Sequence, residues 1–197
     1  GARFTLIEYA RAWLAAKFLA GDWTHLMCID SDLGFDPRAI VQLVNRDRDI
    51  VGGVYPVKTI PMWFPYVPDG EPDGSGLQRA KTIPGGFVLV KRQAMQAVAD
   101  SVRKFSIEHQ GETIVAPNIY QMEHRDMGLV GEDNMFCERA RALGFDIWVD
   151  TNIDFVHVGM FEWGGNLAGR LARESEEAKV SAVGGAVRAV LNQSSAA

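Results

Sequence analysis

The sequence is short of the features that would settle its class at once. It holds two cysteines, Cys28 in an apolar run and Cys137 in a helical pattern. Neither a disulfide framework nor a zinc-ligand spacing follows from them, and both read as reduced, buried small hydrophobes. No apolar run approaches the roughly 20 residues needed to cross a bilayer. The first residues also lack the basic-then-apolar pattern of a signal peptide. The expectation is a soluble, cytoplasmic protein without a membrane span. Clustered positive charge is missing as well: 20 Lys and Arg stand against 25 Asp and Glu, a formal charge of -5. Such a surface repels phosphate backbones, so nucleic acid is not an expected partner. An anionic small ligand would need a local cation, which raises the value of any metal site. No internal repeat and no early Gly-rich loop carrying Lys or Arg is present.

What is there is ordinary globular usage, 47% hydrophobic and 23% charged over 197 residues, enough for one domain with a sizeable core. Residues 6–21, "LIEYARAWLAAKFLAG", place Leu6, Tyr9, Ala10, Trp13, Leu14, Lys17 and Phe18 at helical intervals before Gly21. The run Leu26, Met27, Cys28, Ile29 reads as a strand buried on both faces, as in a parallel sheet covered by helices. Asp36 followed by Pro37 is a good N-cap and first-turn pair for a helix through Leu43 and Val44. A second strand spans 49–58, and 59–84 reads as a loop or loose hairpin carrying Trp63, Phe64 and Tyr66. Residues 85–100 read as strand then helix, 131–144 as a helix closed by Gly144, and 145–159 as one or two strands. The Ala-rich tail from about Leu167 reads as helical and frayed at its end. Strands alternating with helices argue for an α/β sheet.

The acids that follow the strand, Asp30 and Asp32, can both lean toward a hard divalent cation whose other positions go to water and phosphate oxygens. Spacing alone is weak, because fourteen aspartates in this chain produce about one Asp-x-Asp by chance. A second copy, Asp47-Arg48-Asp49, precedes a strand and so points to the opposite edge of the sheet. Glu132 and Asp133 open a helix, where acids are favoured by the dipole, and taken alone they read as capping residues. His157, in "DFVHVG", reads equally as a satisfied core residue and as a manganese ligand. His25, His109 and His124 have no supporting context. Trp63, Phe64, Tyr66 and Trp163 can stack on a sugar ring, although packing is the plainer reading.

Taken in order, "CIDSD", "GGFVLVKR", "GEDNMFCERARALGFDIWVD" and "HVG" resemble the GT-A-type glycosyltransferases, in particular family-2-like members from bacteria and phages, over about residues 10 to 165. The resemblance implies a Rossmann-like α/β fold, a mainly parallel mixed sheet flanked by helices, over residues 1–165 with a helical tail at 166–197. It implies that Asp30 and Asp32 hold Mn2+ or Mg2+ on a donor diphosphate, with His157 as the late metal ligand of some members. By the same resemblance, Asp133 deprotonates the acceptor hydroxyl and Glu132 is its neighbour. "GGVYPVK" and "PGGFVLVKR" match stretches flanking the donor and acceptor pockets. The implied activity moves a sugar from a nucleoside-diphosphate sugar to a sugar or other hydroxyl acceptor. One base and no evident nucleophile favour inversion.

One departure stands out. Such enzymes hold the nucleotide base on a strand and loop that precede the Asp-x-Asp strand by tens of residues, whereas here a single helix precedes Thr24. The expectation is a domain lacking its first strands, poor handling of nucleotide sugars, and an apolar strand left with an unpaired edge that a homodimer would cover. A non-catalytic carbohydrate- or nucleotide-binding relic of the fold is the competing reading. A sugar-phosphate nucleotidyltransferase would need the early Gly-rich loop that is missing.

Overall fold

The structure, a computed structural model, describes residues 6–160 and 162–179. Helix α1 (Ile7–Ala20) forms from a run rich in Ala and Leu, with Glu8 in its first turn and Lys17 in its last, both favourable to the helix dipole. Its small buried residues, Ala12 and Ala15, let it lie close to its neighbours. Strands β1 (His25–Ile29) and β2 (Leu33–Phe35) follow, then α2 (Arg38–Asn45), β3 (Ile50–Gly52), β4 (Val67–Pro68), β5 (Leu77–Thr82) and β6 (Phe87–Lys91). After α3 (Arg92–Ser101) come two hairpins, β7 (Lys104–His109) with β8 (Glu112–Pro117) and β9 (Glu123–Arg125) with β10 (Gly128–Val130). Helix α4 (Glu132–Ala142), β11 (Ile147–Asp150), β12 (Asp154–Val158) and β13 (Glu162–Asn166) complete the named elements, and a helix runs over 167–179. The expected tail beyond 179 lies outside the described residues.

Six strands form the main sheet in the order β1-β6-β3-β11-β5-β4. The result is a mixed α/β architecture, a sheet flanked by helices, but it is not mainly parallel. Only β3 and β11 pair in parallel, and the other four pairings are antiparallel. The apolar runs that suggested a parallel sheet report burial on two faces, and burial carries no information on direction. Direction is set by the connections: β6 sits between β1 and β3 and runs against both. Strands β1, β3 and β11 therefore still share one direction, and their C-terminal ends meet at one edge.

Period-two alternation along β6 shows how the core divides. Val88 and Val90 enter one buried cluster with Ala15 and Phe18 of α1, Met95 of α3 and Phe136 and Cys137 of α4. Phe87 and Leu89 enter a second cluster with Leu43 of α2 and Phe155 of β12. The strand expected over 49–58 is shorter, because β3 ends at Gly52. The expected loop over 59–84 contains β4 and β5, and β5 lies inside the sheet between β11 and β4. The strand at 26–29 is half-buried, because β1 pairs only with β6 and stands at the end of the sheet. An open edge was expected for this strand, and among the described residues β1 has one.

Candidate functional site

The site is built where β1 stops. Asp30 donates its backbone N–H to the Gly86 carbonyl at 2.8 Å, the last rung between β1 and the start of β6. The chain then turns through Ser31 and Asp32 into β2, which pairs antiparallel with β12 and sets Leu33 opposite His157. Val158 N–H donates to the Asp32 carbonyl at 2.8 Å and extends that ladder. Strand pairing thus places His157 beside Asp32, 125 residues apart in sequence. Phe155, two residues before His157, packs edge-on against Phe87 at 4.9 Å, and Phe87 packs against Phe35 at 4.6 Å. These two aromatic contacts, worth about 0.5 to 1.5 kcal/mol each beyond burial, fix β2 and β12 onto β6.

Asp32 is the more exposed carboxylate, 44% accessible, and its Oδ2 receives the Lys58 ammonium at 2.6 Å. Principally that bond holds the Asp32 carboxyl below its ordinary range. The same Oδ2 faces His157 Nε2 at 3.4 Å. On the other side of its ring, His157 Nδ1 lies 2.8 Å from the Pro56 carbonyl. A carbonyl only accepts, so Nδ1 carries the proton in that bond and Nε2 is the atom turned to Asp32. A ring nitrogen oriented this way by a backbone carbonyl is how metal-binding histidines are commonly held.

Asp30 belongs to a second, deeper group. Arg11 of α1, 7% exposed, donates to Glu132 Oε1 at 2.8 Å and lies 3.4 Å from Asp30 Oδ1. Tyr55 donates its hydroxyl to Asp30 Oδ2 at 3.3 Å and packs edge-on against His157 at 4.9 Å, so it joins the two groups. Burial, reinforced by the Asp30 charge, pushes the Tyr55 phenol far up, and it stays a donor. The backbone opposite must be bare: a Cβ on Gly86 would lie 2.3 Å from Asp30 Oδ2 and 2.4 Å from the Tyr55 hydroxyl. One on Gly85 would lie 2.3 Å from Arg11 Nη1.

Glu132 therefore does not cap α4; it pairs with Arg11. The N-cap position is Gly131, and Asp133 Oδ1 accepts the Asn134 N–H at 2.7 Å. Asp133 also lines a cavity of ≈ 10 Å³ with Arg11, Cys28, Gly85 and Tyr120. That volume holds a water molecule at most. Burial pushes the Cys28 thiol up to about 11 and the Cys137 thiol up to about 12, and both behave as inert hydrophobes.

The donor set can be measured against a divalent ion. Among the described residues no three of His, Cys, Asp and Glu are gathered closely enough to hold one. Asp32 and His157 make a pair, and Asp30 is engaged by Arg11 and Tyr55 instead. Two donors each about 2.1 Å from an ion and near a right angle stand about 3 Å apart, so the 3.4 Å between Oδ2 and Nε2 suits one edge of a coordination shell.

Arg11, Tyr55 and Lys58 were not singled out in the sequence. Arg11 had a signal, because it shares a helix face with Ala15 and Phe18 and a charge there needs a buried partner. Of the aromatics, Phe64 is in the core, Tyr66 packs against it, Trp63 is 52% exposed, and Trp163 pairs with His157 across β13 and β12. His25 bonds Thr24, His109 packs edge-on against Trp13, and His124 lies exposed on β9. No helix of the described residues is long and apolar enough to cross a membrane.

No protein-family profile matches the sequence. No curated protein matches it either. Among solved structures, the crystal structure of A197 from STIV aligns with a TM-score of 0.50 at 16% identity, over 80% of this chain and 70% of that one. At that identity the likeness is one of fold alone.

Proposed function

We propose that this chain carries a metal-dependent glycosyltransferase site that moves a sugar from a nucleoside-diphosphate sugar to an acceptor hydroxyl. The observation that carries the reading is the Asp32–His157 pair at the C-terminal edge of β1, with His157 oriented by the Pro56 carbonyl. Open α/β sheets bind ligands at that edge. Asp32 and His157 would hold Mn2+ or Mg2+, and Asp30, fixed by Tyr55 and Arg11, would face the ion through water. The ion would supply charge neutralisation for the departing diphosphate. Asp133, at the start of α4, is the group suited to take the acceptor proton. Arg11 holds Glu132 and Asp30 in one frame and so fixes the start of α4 relative to the end of β1.

A second reading, a binding module derived from the same fold, is favoured by the lack of a three-ligand group among the described residues. The enzyme reading requires the metal site, whereas a carbohydrate- or nucleotide-binding relic of the fold does not. Titration calorimetry with Mn2+ and a nucleoside diphosphate decides it: Asp32→Asn should abolish metal-dependent binding. Equal binding by the variant removes the metal site and with it the enzyme reading, and leaves the binding module. Turnover of a nucleotide sugar then separates enzyme from binding module.

A further inference from the structure

Met62 and Phe64 both reach over the bare backbone of Gly165 in β13, where a Cβ would stand 3.7 Å from Met62 Cε and 3.8 Å from Phe64 Cζ, and Phe64 continues into the core. The indole between them is sent outward, and Trp63 is 52% exposed. Its backbone is held in place. The Trp63 carbonyl accepts the Val57 N–H at 2.9 Å, and Val57 stands between Pro56, whose carbonyl faces His157 Nδ1, and Lys58, which bonds Asp32. Within the same loop Thr59 Oγ1 donates to the Pro61 carbonyl at 3.3 Å. A flat apolar ring is thus presented to solvent one backbone bond away from the residues that hold Asp32 and His157. Trp23 gives the contrast. It is 58% exposed near the start of β1, but its indole is laid against the end of α1, so close that a Cβ on Gly21 would lie 2.4 Å from the ring.

We propose that Trp63 is a stacking platform for a pyranose ring and that Asp32 accepts a hydroxyl at the edge of that ring, so that the acceptor taken by this site is a carbohydrate. This rests on the sugar-handling reading of the site and needs no metal, since neither the stacking nor the hydroxyl bond passes through one. A pyranose carries an apolar C–H face ringed by hydroxyl donors, and it uses a flat indole and a neighbouring carboxylate together. Both ion-pair contacts of Asp32 fall on Oδ2, which leaves the lone pairs of Oδ1 to a ligand hydroxyl. An acyl chain would cover the indole and leave the carboxylate beside it dehydrated without a donor. A rigid ring on a pinned backbone also loses little freedom when a ligand settles on it.

Saturation-transfer NMR in EDTA tests it, with the methyl α- and β-pyranosides of glucose, galactose and N-acetylglucosamine as probes and uridine in parallel. At least one pyranoside should receive saturation on the hydrogens of a single ring face, with an affinity on the order of millimolar. Trp63→Ala should weaken that binding about tenfold, and Trp63→Phe, which keeps a smaller flat ring, should restore most of it. Trp23→Ala should leave it unchanged. The platform is overturned if no pyranoside binds, if Trp63→Ala binds as tightly as the unaltered chain, if Trp23→Ala loses as much, or if uridine alone depends on Trp63. These results separate from the metal titration. Metal-dependent binding of a nucleoside diphosphate with no pyranoside bound refutes this inference alone, whereas pyranoside binding at Trp63 without Mn2+ uptake supports it and leaves the chain a carbohydrate-binding module.

Discussion

Two Asp-x-Asp tripeptides lie at opposite ends of one sheet, and the structure treats them differently. Asp47 and Asp49 enter β3, and each is answered where β6 passes into α3: Lys91 of β6 bonds Asp47 at 2.5 Å, and Gln93 of α3 bonds Asp49 at 2.5 Å. Asp47 is 84% exposed, and among the described residues no histidine is hydrogen-bonded or ion-paired with either acid. Asp30 and Asp32 leave β1, and their partners come from α1, β12 and the loop after β3, with Glu132 of α4 joined to Asp30 through Arg11. The spacing is identical. The difference lies in which end of the strand the acids occupy: beyond the C-terminal end of β1 they meet α1, β12 and the loop after β3, whereas at the entry to β3 they meet Lys91 and Gln93 where β6 passes into α3. Spacing becomes chemistry when the fold brings other elements to it.

The largest effect is expected at Asp133. In a preparation with measurable sugar transfer, Asp133→Asn keeps an oxygen that can accept the Asn134 N–H but loses the ability to take a proton. The melting temperature should hold while kcat falls about 100-fold or more. Asp49→Asn at the other end should leave kcat alone. Near-normal turnover in Asp133→Asn would return that residue to a structural role and shrink the difference between the two ends.

Stability should follow the same division. Arg11→Met leaves Glu132, 17% exposed, and Asp30, 35% exposed, without their shared cation. Breaking a buried pair by removing one partner costs about 3 kcal/mol at the low end, and the partial exposure of Asp30 argues for that end. Chemical denaturation should show a lower midpoint with an unchanged slope. Lys91→Met, whose partner lies in solvent, should leave the midpoint unmoved. Equal losses in the two variants would mean that Arg11 is no more deeply integrated than a surface lysine.

Much of this was readable before the fold was seen, and the gaps have physical causes. Helix α1 was legible from its helical spacing, but the face read there is not the buried one, since Leu6, Tyr9 and Leu14 are exposed while Arg11, Ala12, Ala15 and Phe18 are buried; Gly144, at φ +87°, stops α4 where expected. The Asp36 cap is also there: its Oδ1 accepts the Arg38 N–H at 2.9 Å. Strand β5 was hidden because "LQRAKT" alternates only in part and follows a turn-rich stretch. Strand β2, three residues between the acids and α2, was hidden because its identity depends on β12, more than a hundred residues later. That pairing is also what joins His157 to Asp32. Arg11, Tyr55 and Lys58 escaped for the same reason, since each gains its meaning from a partner distant in sequence. Gly85 and Gly86 were visible as "GG", but the Arg11, Asp30 and Tyr55 groups they make room for were not.

The smallest effect is expected at Asp47, and it sharpens the comparison most. A lysine holds each of Asp32 and Asp47 below the ordinary carboxylate range, Lys58 for the first and Lys91 for the second. A carboxylate with a lowered folded-state value adds stability above its ordinary value of about 3.9, and that stability is lost as pH falls through the lowered one. For Asp47, exposed and screened, the difference between Asp47→Asn and the parent should be slight at pH 7, vanish toward pH 2 and disappear in high salt at any pH. Any Mn2+ uptake should not change at all, because Asp32 and His157 lie at the other end of the sheet. A loss of Mn2+ uptake in Asp47→Asn would break the comparison, since the ion would then be held at the entry to β3 and the position of an acid along its strand would no longer separate the two tripeptides.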